Sequence, residues 1–103
     1  MHILILDRDR PLIDRVASLL RQQGFDVTGV TRDEEAVARL ETGAVDGLVI
    51  GGGVPEESRS DLRTAAEERH IPVVEGALPG KDPEVYVRDE LGPQLREAVG
   101  AGE

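Results

Sequence analysis

The chain has 103 residues, a net charge of −9, 39% hydrophobic residues and 32% charged ones. That length and balance suit one ordinary globular domain. The absence of cysteine excludes a disulfide framework and thiolate chemistry. The acidic excess gives nucleic acid no basic track to follow, and Phe25 and Tyr86 are too few aromatics for a base-stacking platform. No apolar run is long enough to span a membrane, and MHILILDRDR lacks the features of a signal peptide. Neither nucleic acid nor membrane is an expected partner, and the cytoplasm is the expected location.

Strand one is read at His2–Leu6. Its Ile3-Leu4-Ile5-Leu6 core is continuously apolar, as in a strand covered on both faces. Pro11 suits the first turn of a helix with Asp9 or Arg10 just before it. Leu12, Ile13, Val16, Leu19 and Leu20 then form one helical stripe. Gly24 ends that helix as a left-handed cap, with Phe25 folding back on the last turn. Strand two, Phe25–Val30, alternates apolar and polar residues and reads as an edge. Thr31 to Glu34 matches a capping box before a helix carrying Ala36, Val37 and Leu40, which Gly43 stops.

Strand three is Asp46–Ile50, a buried run that meets Gly51-Gly52-Gly53 and then Val54-Pro55. Three glycines at this point imply tight backbone geometry or a close approach to the main chain. Ser58 and Asp61 form a second capping-box-like pair, opening a helix at about residues 59–69 with a thin core face of Leu62, Ala65 and Ala66. His70, at its end, reads as a cap whose charge suits the helix dipole. Strand four is Ile71–Glu75, followed by a loop from Gly76 to Pro83. Val85-Tyr86-Val87 reads as a short fifth strand, and Gly92-Pro93 opens a last helix through Val99. A competing reading starts a helix at Asp82-Pro83. Pro93 would then stand ten residues inside it and break it, so the strand is preferred.

Alternation of strands and helices implies a parallel sheet with helices on both faces and right-handed crossovers. The expected fold is a three-layer α/β/α domain over residues 1–99, with residues 100–103 as a tail. Its five-stranded parallel sheet has the order 2-1-3-4-5, with strands two and five at the edges. Eight residues between strands four and five are too few for the usual crossover helix, so that helix is expected to be missing. The sheet's flank there is expected to lack cover, and a protein partner or a second copy is expected to supply it.

The segments ILILDRDRPLI, LLRQQGFDV, TRDEEAVARL, DGLVIGGGVP and IPVV, in that order and spacing, resemble a response-regulator receiver domain of flavodoxin-like fold over Met1 to about Val74. The resemblance implies two adjacent carboxylates for a divalent metal after strand one. Here Asp7 matches the first, Arg8 stands at the second, and Asp9 follows. It implies a phosphate-accepting aspartate at the end of strand three, where this chain has Gly51. The family's hydroxyl residue falls near Glu75-Gly76, which offers no hydroxyl, and its lysine has no clear match, because Lys81 precedes the proposed strand. The chain thus resembles a degenerate receiver without the phosphoacceptor.

In the 2-1-3-4-5 order, Asp7-Arg8-Asp9 lies beside Gly51-Gly52-Gly53 in the crevice where the strand order reverses. One reading is a nucleotide or other phosphate held by backbone N–H groups with Arg8 assisting. Another is a tight turn beside an ion cluster. A third is magnesium on Asp7 and Asp9, made less favourable by Arg8. The expected ligand-binding set is Asp7, Arg8, Asp9, Gly51, Gly52, Gly53, Glu75 and Gly76. No catalytic residue, metal or cofactor is expected. Gly76-Ala-Leu-Pro-Gly80-Lys81 falls one residue short of a P-loop and lacks its Ser/Thr. The function expected is a non-catalytic receiver-like module acting through protein contact. The alternative is a small-ligand domain built on the glycine loop.

Overall fold

The computed structural model describes residues 1–76 and 82–100. In chain order it has β1 (His2–Leu6), α1 (Arg10–Gln22), β2 (Asp26–Val30), α2 (Asp33–Glu41), β3 (Gly47–Ile50), α3 (Glu56–Glu67) and β4 (Val73–Glu75). After the undescribed residues come α4 (Pro83–Tyr86), a π-helical stretch (Val87–Leu91) and α5 (Gly92–Gly100), which run on without a break. The sheet is parallel with the order β2-β1-β3-β4.

Alternating side chains of the buried strands feed two cores. Ile3, Ile5, Val27 and Val49 pack with α1 and the C-terminal helix. Leu4, Leu6, Val30, Leu48 and Ile50 pack with α2 and α3. Every side chain from Ile3 to Leu6 is at least 97% buried, which is why the strand reads as continuously apolar. Each such aliphatic side chain contributes about 1.5–3 kcal/mol relative to an exposed one.

Two expectations about the last quarter are corrected. Among the described residues the sheet has four strands, not five, and β4 is an edge where an interior strand was expected. The segment Val85–Val87 is helical. Asp82 caps it, its Oδ1 accepting from the Glu84 N–H at 2.8 Å, and Pro83 occupies the first turn. Pro93 is accommodated because the helix widens just before it. Gly92 N–H donates to the Val87 carbonyl five residues back, and the wider turn relieves the clash a proline ring makes with an α-turn. The side-chain amide of Gln23 donates to the same Val87 carbonyl at 3.3 Å, tying the wide turn to the end of α1. With Leu95 and Val99 over Gly47, α5 covers β3 and β4 on the α1 side, the flank expected to be bare.

The caps also differ in detail. Helix α1 begins as expected, with Asp9 Oδ1 accepting from Leu12 N–H, and ends at Gly24 with φ +97°. Arg32, not Thr31, precedes α2, and Pro55 precedes α3; neither makes a side-chain cap bond. Glu56 and Glu57 in the first turn suit the α3 dipole instead. His70 has φ +55°, and the bonds His70 N–H to Glu67 O and Ile71 N–H to Ala66 O close a Schellman turn around it. Its role is backbone geometry at a position that glycine usually fills. Gly80 and Lys81 of the near-P-loop segment, and residues 101–103 of the tail, lie outside the described residues; Gly100 belongs to α5.

A strand would place Val85 and Val87 on one face. The helix leaves Val85 44% exposed and Val87 1% exposed. Val87→Ala is therefore expected to cost about 2 kcal/mol in urea denaturation, and Val85→Ala to change stability by less than about 0.5 kcal/mol. Equal losses at the two positions would contradict the helical assignment.

Candidate functional site

The carboxyl ends of β1 and β3 lie side by side, so Asp7 follows one strand where Gly51 follows the other. Asp7 is the one buried charged residue among those described, at 6% exposure. Its Oδ1 accepts from the Arg8 N–H at 2.7 Å. The carboxylate lies directly on the glycine loop. A Cβ on Gly51 would fall 2.1 Å from Oδ2 and 2.4 Å from Cγ, and a Cβ on Gly53 would fall 2.6 Å from Oδ1. Neither glycine has a positive φ. They are needed for space, not for conformational freedom: the group approaching the main chain is the protein's own carboxylate.

The loop is a turn held from both ends. Gly51 N–H continues the sheet by donating to Leu6 O at 2.8 Å, and Val54 N–H donates back to Gly51 O at 3.2 Å. Arg59, on α3, grips the loop from the other face. Its Nε donates to Val54 O at 2.8 Å and its Nη2 to Gly51 O at 3.0 Å. Arg59 also reaches Glu75 at 3.4 Å, and Arg63 forks between Glu75 at 2.9 Å and Glu56 at 2.7 Å. The hydrogen bond from Arg63 holds the Glu56 carboxyl below its ordinary range, and Glu56 and Glu75 in turn raise the Arg63 guanidinium.

A cleft of about 460 Å³ opens on the α1 side of this loop. Ile5, Leu12, Ile13, Val16, Val49 and Leu91 form apolar walls; Asp7, Asp9, Tyr86 and glycine backbone supply the polar groups. Of the expected set, Asp7, Asp9, Gly51, Gly52, Gly53 and Gly76 line this cleft, whereas Arg8 and Glu75 do not. Arg8 turns toward the opposite helical layer. It donates to Thr31 O at 2.8 Å, to Asp33 at 2.7 Å and to Ser58 at 3.3 Å. Glu75 is engaged by the two α3 arginines.

Sequence reasoning missed Arg59 and Tyr86. One arginine among eleven carries no distinguishing signal. The local composition places Tyr86 in a strand, whereas the lone tyrosine of the chain is helical and sits in the cleft wall, its hydroxyl in the space that a Cβ on Gly76 would need. The donor set for the divalent metal implied by the receiver resemblance does not fit. Asp9 spends a carboxylate oxygen on the α1 N-terminus, Arg8 stands at the second acidic position, and no three His, Cys, Asp or Glu converge among the described residues.

Two measurements check this geometry. Gly51→Ala is expected to destabilise the fold by about 1–3 kcal/mol, because the whole Asp7 side chain must move, and Asp7→Ala should recover much of that loss in the double variant. Additive losses would show that the two sites do not touch. The second concerns Asp33 and Ser58 beside Arg8. The hydroxyl of Ser58 donates to Asp33 at 2.6 Å and, with Arg8 adjacent, holds the Asp33 carboxyl below its ordinary 3.8 despite some desolvation. A lowered carboxyl stabilises the fold above pH 3.8, and that stabilisation fades as pH falls through the folded value. Asp33 is 38% exposed, so Ser58→Ala should cost only about 0.5 kcal/mol at neutral pH, with the difference lost in strong acid. An NMR titration of Asp33 should show its midpoint rise in the variant.

No protein-family model and no curated protein matches the chain. Solved structures do. A de novo designed Rossmann 2x3 fold protein is similar over 93% of this chain and 90% of its own, with a TM-score of 0.71 at 18% identity. A designed Rossmann 2x2 fold protein is similar over 99% and 89%, with a TM-score of 0.62 at 18% identity. The receiver domain of the hybrid histidine kinase CckA is similar over 92% of this chain and 99% of its own, with a TM-score of 0.62 at 19% identity. The chain has a Rossmann-like α/β fold that receiver domains share. No helix among the described residues is long and apolar enough to cross a membrane.

Proposed function

We propose that the protein is a regulatory module of receiver-like fold that works by binding and not by accepting a phosphoryl group. The observation that supports this is the position of Asp7. Its carboxylate lies on Gly51 and Gly53, in the space that a side chain at position 51 would need. A receiver's phosphoacceptor would project from that position; here there is no carboxylate at 51 and no room for one while Asp7 keeps its place. The metal donors that assist such chemistry are also incomplete.

Such a module transmits its state through contact, and the β4 side is the surface we assign to it. Among the described residues β4 is hydrogen-bonded to β3 alone, and its Val73 and Val74 are only partly buried. An edge of this kind offers backbone groups to a protein partner, a second copy of the chain being the simplest.

One preparation tests both parts. After incubation with acetyl phosphate and magnesium, the intact mass is expected to be unchanged. Sedimentation velocity is expected to show self-association that rises with concentration and is indifferent to the treatment. An acid-labile phosphoryl group on the chain would overturn the phosphorylation-independent reading. A strict monomer across micromolar concentrations would remove the second copy as the partner.

A further inference from the structure

We propose that the cleft between α1 and the C-terminal helix binds a small organic cation, an ammonium group on Asp7 with an apolar body against the walls. The cleft, at about 460 Å³, lies within the range of about 300–1,000 Å³ usual for small-molecule sites, and it sits where the strand order reverses. Its walls are aliphatic, from Ile5 and Val49 on the sheet to Leu12 and Val16 on α1 and Leu91 opposite. One charged group is set into this apolar surface. Asp7 is more than nine-tenths buried and spends Oδ1 on the Arg8 N–H. Among the described residues its Oδ2 accepts no hydrogen bond, yet no unpartnered side-chain oxygen is sealed from solvent, so this oxygen reaches solvent in a residue that lines the cleft.

The surrounding charges select the sign of the ligand. Arg8 is committed to Thr31, Asp33 and Ser58. Arg59 is committed to Gly51 O, Val54 O and Glu75 on the other face, and Arg10 to Gly29 O. Among the described residues no Arg, Lys or His lines the cleft, whereas Asp7 and Asp9 both do. Among the described residues an anion would meet two carboxylates and no counter-charge. A neutral apolar molecule would strip the remaining water from Oδ2 and give nothing back. An ammonium replaces that water with a charge-assisted hydrogen bond while its apolar body leaves solvent.

The test uses three probes with the same apolar body: 2-phenylethylamine, 2-phenylethanol and phenylacetate, titrated into the ¹⁵N-labelled full chain at neutral pH. The amine is expected to shift the amides of Gly51, Gly52 and Gly53 and to bind roughly tenfold or more tighter than the alcohol. Phenylacetate is expected to be the weakest. Asp7→Asn keeps an acceptor for the Arg8 N–H and removes the charge; it should bring the amine down to the alcohol's affinity and leave the alcohol unchanged. Leu12→Trp, which fills the wall and leaves Asp7 alone, should abolish binding of both, and it decides the matter if Asp7→Asn does not fold. Equal affinities for amine and alcohol, phenylacetate binding best, shifts away from the cleft, no shift at millimolar probe, or binding that survives Leu12→Trp would each overturn the proposal. None of these results bears on acetyl phosphate, so the two readings fail separately.

Discussion

The contact between the Asp7 carboxylate and the glycine loop fixes more of this structure than any other. A carboxylate removed from water needs compensating partners, and here one oxygen has a backbone N–H at 2.7 Å. To take that place it must lie flat on the main chain of the β3–α3 connection, and this requires the absence of a side chain at positions 51 and 53. Glycine at positions 51 and 53 is thus tied to Asp7. The backbone there is ordinary; the left-handed positions among the described residues are Gly24, Gly43 and His70, all at or just beyond helix ends. Position 51 and position 7 compete for one volume, and in this chain position 7 holds it.

From that contact the charges divide between the two sides of the sheet. On the α2/α3 side, Arg8, Arg59 and Arg63 are spent on Asp33, Glu75, Glu56 and the carbonyls of the loop. These pairs are partly exposed, and each contributes modestly to stability. Their larger effect is placement, because they draw the positive charge of this rim away from the α1 side. Among the described residues, the cleft on that side has apolar walls and two carboxylates at its polar end. An acidic sequence with a cluster reading Asp-Arg-Asp suggests local neutrality. The folded chain separates it into a neutralised face and an acidic one.

Much of this was legible in the sequence where one physical signal dominated. Unbroken apolar runs located β1 and β3, and the strand order put Asp7 beside Gly51, so six of the eight expected site residues do meet in one cleft. The failures come where two signals competed. Val85-Tyr86-Val87 has the composition of a strand, and Pro93 argued against any helix through it. A single widened turn, with Gly92 bonded to Val87 and Gln23 bonded to the same carbonyl, admits both the helix and the proline. Gln23 is sixty-four residues away in sequence, so no local pattern could have supplied it. The capping residues failed for a related reason: Ser58 matched a helix start, but the hydroxyl was already taken by Asp33 from across the α2/α3 interface. Arg8 was expected to serve the loop, and the direction of a long side chain is set by partners that the spacing of residues does not reveal.

The fold by itself says little about what the protein does. Designed Rossmann proteins and a histidine-kinase receiver domain share it with this chain at under 20% identity. A backbone that accepts such different sequences constrains function only by offering a place for it, at the ends of the central strands. The informative features are therefore those that the backbone does not require. A parallel sheet does not require a carboxylate buried on a glycine turn, since a serine or valine after β1 would end the strand without burying a charge. Nor does it require three arginines tied to the opposite face. Together, these departures leave one nearly buried negative charge at the head of an apolar cleft. An uncharged group could fill that volume, and the cost of a charge there is intelligible if something outside the chain is meant to meet it.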